Sequence, residues 1–541
     1  MKSILRVSFF LLCVSSATPA FSQYDIIIRN GNVHNGLGAK PVVTDIGINK
    51  DTIAFIGDLS KSNGLKEINA KDLEVTPGFI NMLSWSETHL TKDGRQMSDI
   101  KQGVTLEVLG EGLSAGPRKP RAKDKRWLTL GQFFTYIEKI GVSTNVASFV
   151  GATTVRLYVL DQSDRKPTTA ELTQMKNLVS QAMREGAMGL GSSLIYAPAT
   201  FASTEELVEL SKVASSYGGM YITHMRSESD FIYQGLNETF RIAKEANIAA
   251  EIFHLKINHE RNWNKIDTVL CKIDSARKAG LKITADMYPY NASGTSLTAR
   301  LPAWIQEGGA KEMRKRLVDP TMRKRVLYEL KMGIPSKNSD PKDVMLLGFK
   351  KDSLNKLYRG KRLDQVAKLH GKDADETMID LIVDDKTGIP AIFFLISEEN
   401  LKRMLRLPYV SICSDAAAYA AEPPEIEDGI HPRAYGSFAK LLSDYVRDKK
   451  ILTLEDAVRR MTSLPATNLK LKKRGQIATG YFADIAIFDK NKIEDKATYE
   501  QPHQYAEGMI HVLVNGVQVL KDGNHTGAKP GRAIRGPGYK K

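Results

Sequence analysis

His224 and His254 are where the chemistry of this chain begins. Each ends a short apolar run, Met220-Tyr-Ile-Thr-His224 and Ile248 to His254, in a stretch where strand-like and helix-like segments alternate. Two imidazoles at matching depth on consecutive strands are suited to hold a metal. Each alone reads more readily as a hydrogen-bonded structural histidine. Zinc takes two imidazoles and a carboxylate while keeping a position open for water. Two carboxylates stand at comparable strand ends. Asp415 closes Pro408-Tyr-Val-Ser-Ile-Cys-Ser-Asp415, and Glu111 sits in Gly110-Glu111-Gly112 after Gly103-Val-Thr-Leu-Glu-Val-Leu. Beside an activated water such a carboxylate is a general base; in a plain loop it caps a turn.

These side chains need elements to present them. Thr168-x-x-Glu171 is a capping box ahead of a helix with Leu172, Met175, Leu178, Val179, Ala182 and Met183 on one face, and Ser203-x-x-Glu206 opens another. Strand ends near residues 190, 224, 254 and 286 recur at the spacing of strand–helix units, which predicts a parallel sheet. No Gly-x-Gly-x-x-Gly follows any of these strands, so the expected architecture is a closed (β/α)8 TIM-like barrel, of class α/β, over residues 76–465. Such barrels build their sites at the C-terminal ends of the strands. Both ends of the chain read as β instead. Asp25-Ile-Ile-Ile-Arg-Asn-Gly is strand-like, and Asn515-Gly516 within His511 to Leu520 is a hairpin signal. Residues 23–75 and 466–541 are therefore expected to form one small β-sandwich. From about 300 to 390 the rhythm fails, and this segment is expected to be an inserted helical lid or a solvated face.

Composition sets the outer limits. With 42% hydrophobic and 26% charged residues the 541-residue chain is globular, neither disordered nor fibrous. A net charge of +15 permits anionic partners without choosing among them. The charge is dispersed and no recognition motif appears, so nucleic acid is not an expected partner. Residues 1–22 read as a signal peptide: Lys2 and Arg6, then apolar Val7 to Val14, then Ala20-Phe21-Ser22. The expectation is export, periplasmic or secreted, with no integral membrane segment. The remaining Cys271 and Cys413 are too few for a disulfide framework.

Longer strings make the reading specific. THMRSE around His224, HLK at 254–256, ADMYPY at 285–290, HPRAYGSF at 431–438, MTSLPA at 461–466 and PHQYAEGMIHVLVNG at 502–516 run the length of the chain in one order. In these segments, and in Pro77-Gly-Phe-Ile80, the sequence resembles the amidohydrolase superfamily and, within it, the N-acyl-D-amino-acid deacylases. The resemblance implies zinc at the barrel mouth and hydrolysis of the amide bond of a small N-acyl-D-amino acid. It assigns zinc binding to His224 and His254 and acid–base catalysis to Asp415. It places Tyr196, Lys256, Tyr288 and Arg433 at the substrate, with the Arg433 fork suited to a free α-carboxylate.

The departures are equally specific. The superfamily follows Pro-Gly-Phe-Ile with Asp-x-His-x-His, whose histidines hold a second metal. Here the string is Asn81-Met-Leu83-Ser-Trp85, and neither Leu83 nor Trp85 can ligate. The family's metal-binding Cys is missing from Gly110-Glu111-Gly112, where Glu111 offers a carboxylate in its place. One zinc per chain, held by His224, His254 and Glu111, is the expectation. Two readings compete: another amide hydrolase on this scaffold, a dipeptidase or cyclic-amide hydrolase, and a catalytically silent binding protein. The oligomeric state is not legible.

Overall fold

A computed structural model describes residues 23–120, 126–333, 339–423 and 429–540; the leader expected over residues 1–22 lies outside them. Eight parallel strands form the central layer. They are β1 (Phe79–Asn81), β2 (Val104–Leu109), β3 (Asn145–Ser148, continued by Val150–Gly151), β4 (Gly189–Ser193), β5 (Met220–His224), β6 (Ala250–Ile252), β7 (Ile283–Met287) and β8 (Val410–Ile412). Each pairs in parallel with the next, from β1–β2–β3 through β4 to β8. The ring closes between the last strand and the first. Met82 N–H donates to the Ile412 carbonyl at 3.4 Å, and Ser84 bridges Ala416 in parallel. The Asn81 side chain locks the seam, accepting from Ser414 N–H at 2.9 Å and donating to Ser414 Oγ at 2.8 Å. Leu190, Ile222, Ile252 and Ile412 are fully buried, as strands covered on both faces require.

Between the strands run helices whose starts the sequence encodes. Thr168 accepts from Glu171 N–H in the capping box that opens Thr169–Glu185, and Ser203 does the same for Thr204–Ser216. Gly186, in the left-handed conformation, stops the first of these. The two chain ends meet in a 9-stranded sheet, joined where Glu74–Pro77 pairs antiparallel with Ile485–Phe488. Its inward side chains, among them Ile28, Ile46, Ile485 and Leu513, form one apolar cluster. Asn515 and Gly516 both have positive φ between Met509–Val514 and Val517–Lys521, the two-residue turn expected there.

The segment leaving the barrel after β7 is more than a set of helices. Ser293–Ser296, Val344–Leu346 and Pro390–Phe393 form an antiparallel three-stranded sheet. Against it pack helices including Ala310–Val318, Pro320–Lys331 and Ala374–Asp385 around a separate core of residues such as Leu317, Val326, Met378 and Ile382. This sheet carries no local signal, because Pro390–Phe393 finds its two partners in Ser293–Ser296 and Val344–Leu346, each many tens of residues earlier. Among the described residues no helix is long and apolar enough to cross a membrane.

Candidate metal centre and substrate cavities

Glu111, His224 and His254 converge at the C-terminal ends of β2, β5 and β6. Glu111 reaches its place because both neighbours are glycines in the left-handed region. A Cβ on Gly110 would lie 2.5 Å from the Phe149 carbonyl oxygen, and one on Gly112 would lie 2.5 Å from Ser193 Cβ. His224 ends β5 directly. His254 lies beyond the last paired residue of β6 with φ +36, held there by its N–H donating to Asp286 Oδ1 at 2.7 Å. Asp415 also has positive φ, +51, and its N–H donates to the Leu83 carbonyl at 3.0 Å. Non-glycine residues in this region are uncommon and concentrate at functional sites.

The three ligand atoms lie within 4.8 Å of one another. Glu111 Oε1 is 2.9 Å from His224 Nδ1 and 3.2 Å from His254 Nε2. Its other oxygen accepts from the Trp85 indole N–H at 2.7 Å. Burial pushes the Glu111 carboxyl up, but the two imidazoles outweigh this and hold it well below the usual carboxylate range. Burial and the Lys256 ammonium push His254 down, yet the Asp415, Glu228 and Glu111 carboxylates raise it to about 10. His224 is lowered, by burial first. The cluster is thus set in a field that favours positive charge, with His224 Nε2 buried and without a hydrogen-bond partner. Two imidazoles and a carboxylate so placed fit a zinc ion.

Glu228, four residues after His224, was not singled out from the sequence. Its Oε1 lies 3.0 Å from His254 Nδ1 and 2.7 Å from Lys256 Nζ, and its Oε2 is 3.6 Å from His224 Nε2. A carboxylate behind a metal-binding imidazole fixes ring orientation and raises its basicity. The signal available was an acid one helical-turn spacing after a strand-end His, in THMRSE. Lys256, expected at the substrate, instead sits behind the imidazoles, 2.6 Å from His254 Nδ1, and lines neither cavity described below.

Asp415 and Arg433 form a buried ion pair at 2.6 Å. Burial raises the Asp415 carboxyl, with Arg433 and His254 opposing. The Arg433 guanidinium lies 4.7 Å from the centre of the Tyr288 ring, and its Nε has no hydrogen-bond acceptor. The Tyr288 hydroxyl is likewise buried and unpartnered. Two cavities meet at this point. One, of about 400 Å³, is lined by Asp415, Arg433, His431 and by Leu347, Ile389 and Ile430. The other, of about 390 Å³, is lined by Glu111, Glu87, Leu113, Leu157 and Pro198 among others. Trp85 and Tyr196 line both and divide them. Tyr196 packs its ring edge-on to His224 and hydrogen-bonds to Thr295 at 2.9 Å. Leu83 is fully buried, so of the two lost ligand positions one became core and the other became this dividing wall.

Known proteins place the same architecture in context. The Amidohydrolase family profile matches residues 354–520. D-aminoacylase of Alcaligenes xylosoxydans xylosoxydans is 30% identical over 523 residues, 94% of this chain and 97% of that protein. A solved D-aminoacylase, with a binuclear metal centre activated by one metal and attenuated by the second, is 30% identical with a TM-score of 0.79, covering 95% of this chain and 100% of its own. A Bordetella bronchiseptica N-acyl-D-glutamate deacylase, solved with zinc and a phosphonate mimic of the tetrahedral intermediate, is 26% identical with a TM-score of 0.80 over the same shares. With identity at this level over nearly the whole of both chains, this protein belongs to the D-aminoacylase family of amidohydrolases.

Proposed function

We propose that this protein hydrolyses the amide bond of N-acyl-D-amino acids to a carboxylate and a free D-amino acid, using a single zinc held by His224, His254 and Glu111. The observation that carries the reading is the Asp415–Arg433 pair beside the two-imidazole, one-carboxylate cluster, on the wall of a substrate-sized cavity. When bound, zinc polarises the amide carbonyl and acidifies water. Asp415 takes a proton from the attacking water and returns it to the leaving nitrogen, both steps being open to one carboxylate. Arg433, whose Nε is left over from its pairing with Asp415 and its bond to the Gly294 carbonyl, takes the free α-carboxylate of the substrate. Tyr196, which lines both cavities, flanks the reacting amide, and the buried Tyr288 ring backs the Arg433 guanidinium.

The cavity beside Arg433 also sets the side chain. Among the described residues that line it, Arg433 is the sole permanent cation; His431 is pushed well below its ordinary value by burial and stays neutral. Leu347, Ile389 and Ile430 favour a neutral apolar D-residue over D-aspartate or D-glutamate. The leader pattern of residues 1–22 supports export to the periplasm or medium, to be checked by the N-terminus of the mature protein. The test of function is a screen of N-acetyl-D- and N-acetyl-L-amino acids with and without added zinc. Turnover of D-substrates with apolar side chains is expected. Turnover confined to L-substrates overturns the stereochemistry, and two tightly bound ions per chain overturn the single-metal site.

A further inference from the structure

The second cavity has no assigned occupant, and the direction of the reaction decides what enters it. Asp415 must hand its proton to the nitrogen that leaves with the amino acid, and Asp415 lines only the cavity that holds Arg433. The amino-acid half therefore lies on that side. Glu111 lines only the other cavity, so the acyl half crosses the Trp85–Tyr196 divide to reach it. Charge sorts the halves the same way. Among the described residues lining the second cavity none is basic, so it offers a free carboxylate no partner. Glu87 already accepts the Gly110 N–H. Thr153, Gln162 and Ser193 add polar lining, and the apolar part open to a ligand is Leu157 from the helix Ala152–Leu160, Pro198, the Trp85 ring, and Leu113 at the rim. Leu113 is 58% and Trp85 37% exposed, a cost in water that a hydrocarbon chain lying against them removes. The wall is not free to fold in, because the Trp85 indole is tied to Glu111.

We propose that this cavity of about 390 Å³ is an acyl-chain site, and that the natural substrates are D-amino acids acylated with chains of several carbons, not acetyl alone. A methyl group would leave most of the space to water; a hexanoyl chain would replace that water with contacts to Leu157, Leu113 and Trp85. The inference rests on the hydrolysis proposed above and adds the acyl class to it.

The test compares kcat/KM of the zinc-loaded full-length enzyme on N-acetyl-, N-butanoyl- and N-hexanoyl-D-leucine. From acetyl to hexanoyl it should rise by about tenfold or more. Leu157→Trp fills the cavity and Leu113→Asp makes its rim polar, the latter at an exposed position that folding does not depend on. Either should lower the hexanoyl-to-acetyl ratio by about threefold or more. Equal or falling kcat/KM with chain length overturns the acyl site while leaving the hydrolysis standing, as does a ratio unmoved in both variants. Turnover of none of the three overturns the hydrolytic reading, and the acyl site with it.

Discussion

Replacing Glu228 by Gln keeps the shape of the side chain and removes one negative charge from behind the two imidazoles proposed to bind zinc. The wild-type carboxylate is charged at any working pH. Burial pushes it up, but Lys256, His224 and His254 outweigh burial and hold it well below the usual range. The side chains of Glu228, Lys256 and His254 are 2%, 3% and 1% exposed, so solvent screens little of what is lost. Two effects follow. The Lys256 ammonium, 2.7 Å away, is left without its counter-charge, and breaking a buried pair from one side costs about 3–5 kcal/mol of stability. His254 loses the carboxylate 3.0 Å from its Nδ1, and loss of such a partner weakens metal binding by about 10–100-fold. The stranded ammonium beside His254 adds repulsion to the second effect. A double-mutant cycle with Lys256→Met separates them, read by zinc affinity in chelator competition and by thermal unfolding. In the Lys256→Met background Glu228→Gln should cost much less stability, yet still weaken zinc. If zinc affinity in that background does not change, Glu228 serves only to neutralise Lys256, and its role in orienting the imidazoles is refuted.

The remaining expectations separate the other roles. Asp415→Asn should lower kcat by about 10²–10⁴-fold with zinc content retained, whereas His224→Ala or His254→Ala should lose zinc and activity together; metal analysis beside the rate assay tells them apart. Arg433→Lys should lower kcat/KM for free-acid substrates far more than for the corresponding α-amides; equal losses would mean that Arg433 only holds Asp415. Glu251, fully buried beside Asp286, has its carboxyl raised to about 8, by burial first and by the neighbouring carboxylate second. Its folded value lies above its ordinary 4.5, so the stability tied to its proton is present below pH ~4.5 and is lost as pH rises through about 8. Glu251→Gln should therefore be more stable than wild type at pH 8, by about a few kcal/mol read from thermal unfolding, and lose that advantage at pH 4.

What the sequence disclosed and what it hid divide by range. The caps at Thr168 and Ser203 and the Asn515-Gly516 turn are legible because each is made by residues within a few positions of one another. His224 and His254 are legible because an apolar run announces a strand and a barrel strand points its end at the site. Glu228 is hidden because its partners come from two strands and its motif contains other polar residues of equal promise. Trp85 reads as a lost ligand. That its indole holds Glu111 and parts two cavities depends on β2 lying beside β1, which no local pattern states. The sheet whose outer strands bracket the insertion expected over 300–390 is hidden for the same reason: Ser293–Ser296 finds its partner at Pro390–Phe393.

The Asn81–Ser414 seam has a consequence for when this enzyme becomes an enzyme. Its two residues are separated by 333 positions, and Asp415 follows directly on the second. A chain growing from its N-terminus makes Glu111, His224 and His254 long before it makes Asp415. The ring cannot close until β8 arrives, so the proton-transferring residue is delivered by the closing step itself. Contacts this distant in sequence form slowly, so a chain cut before β8 is expected to show no hydrolysis.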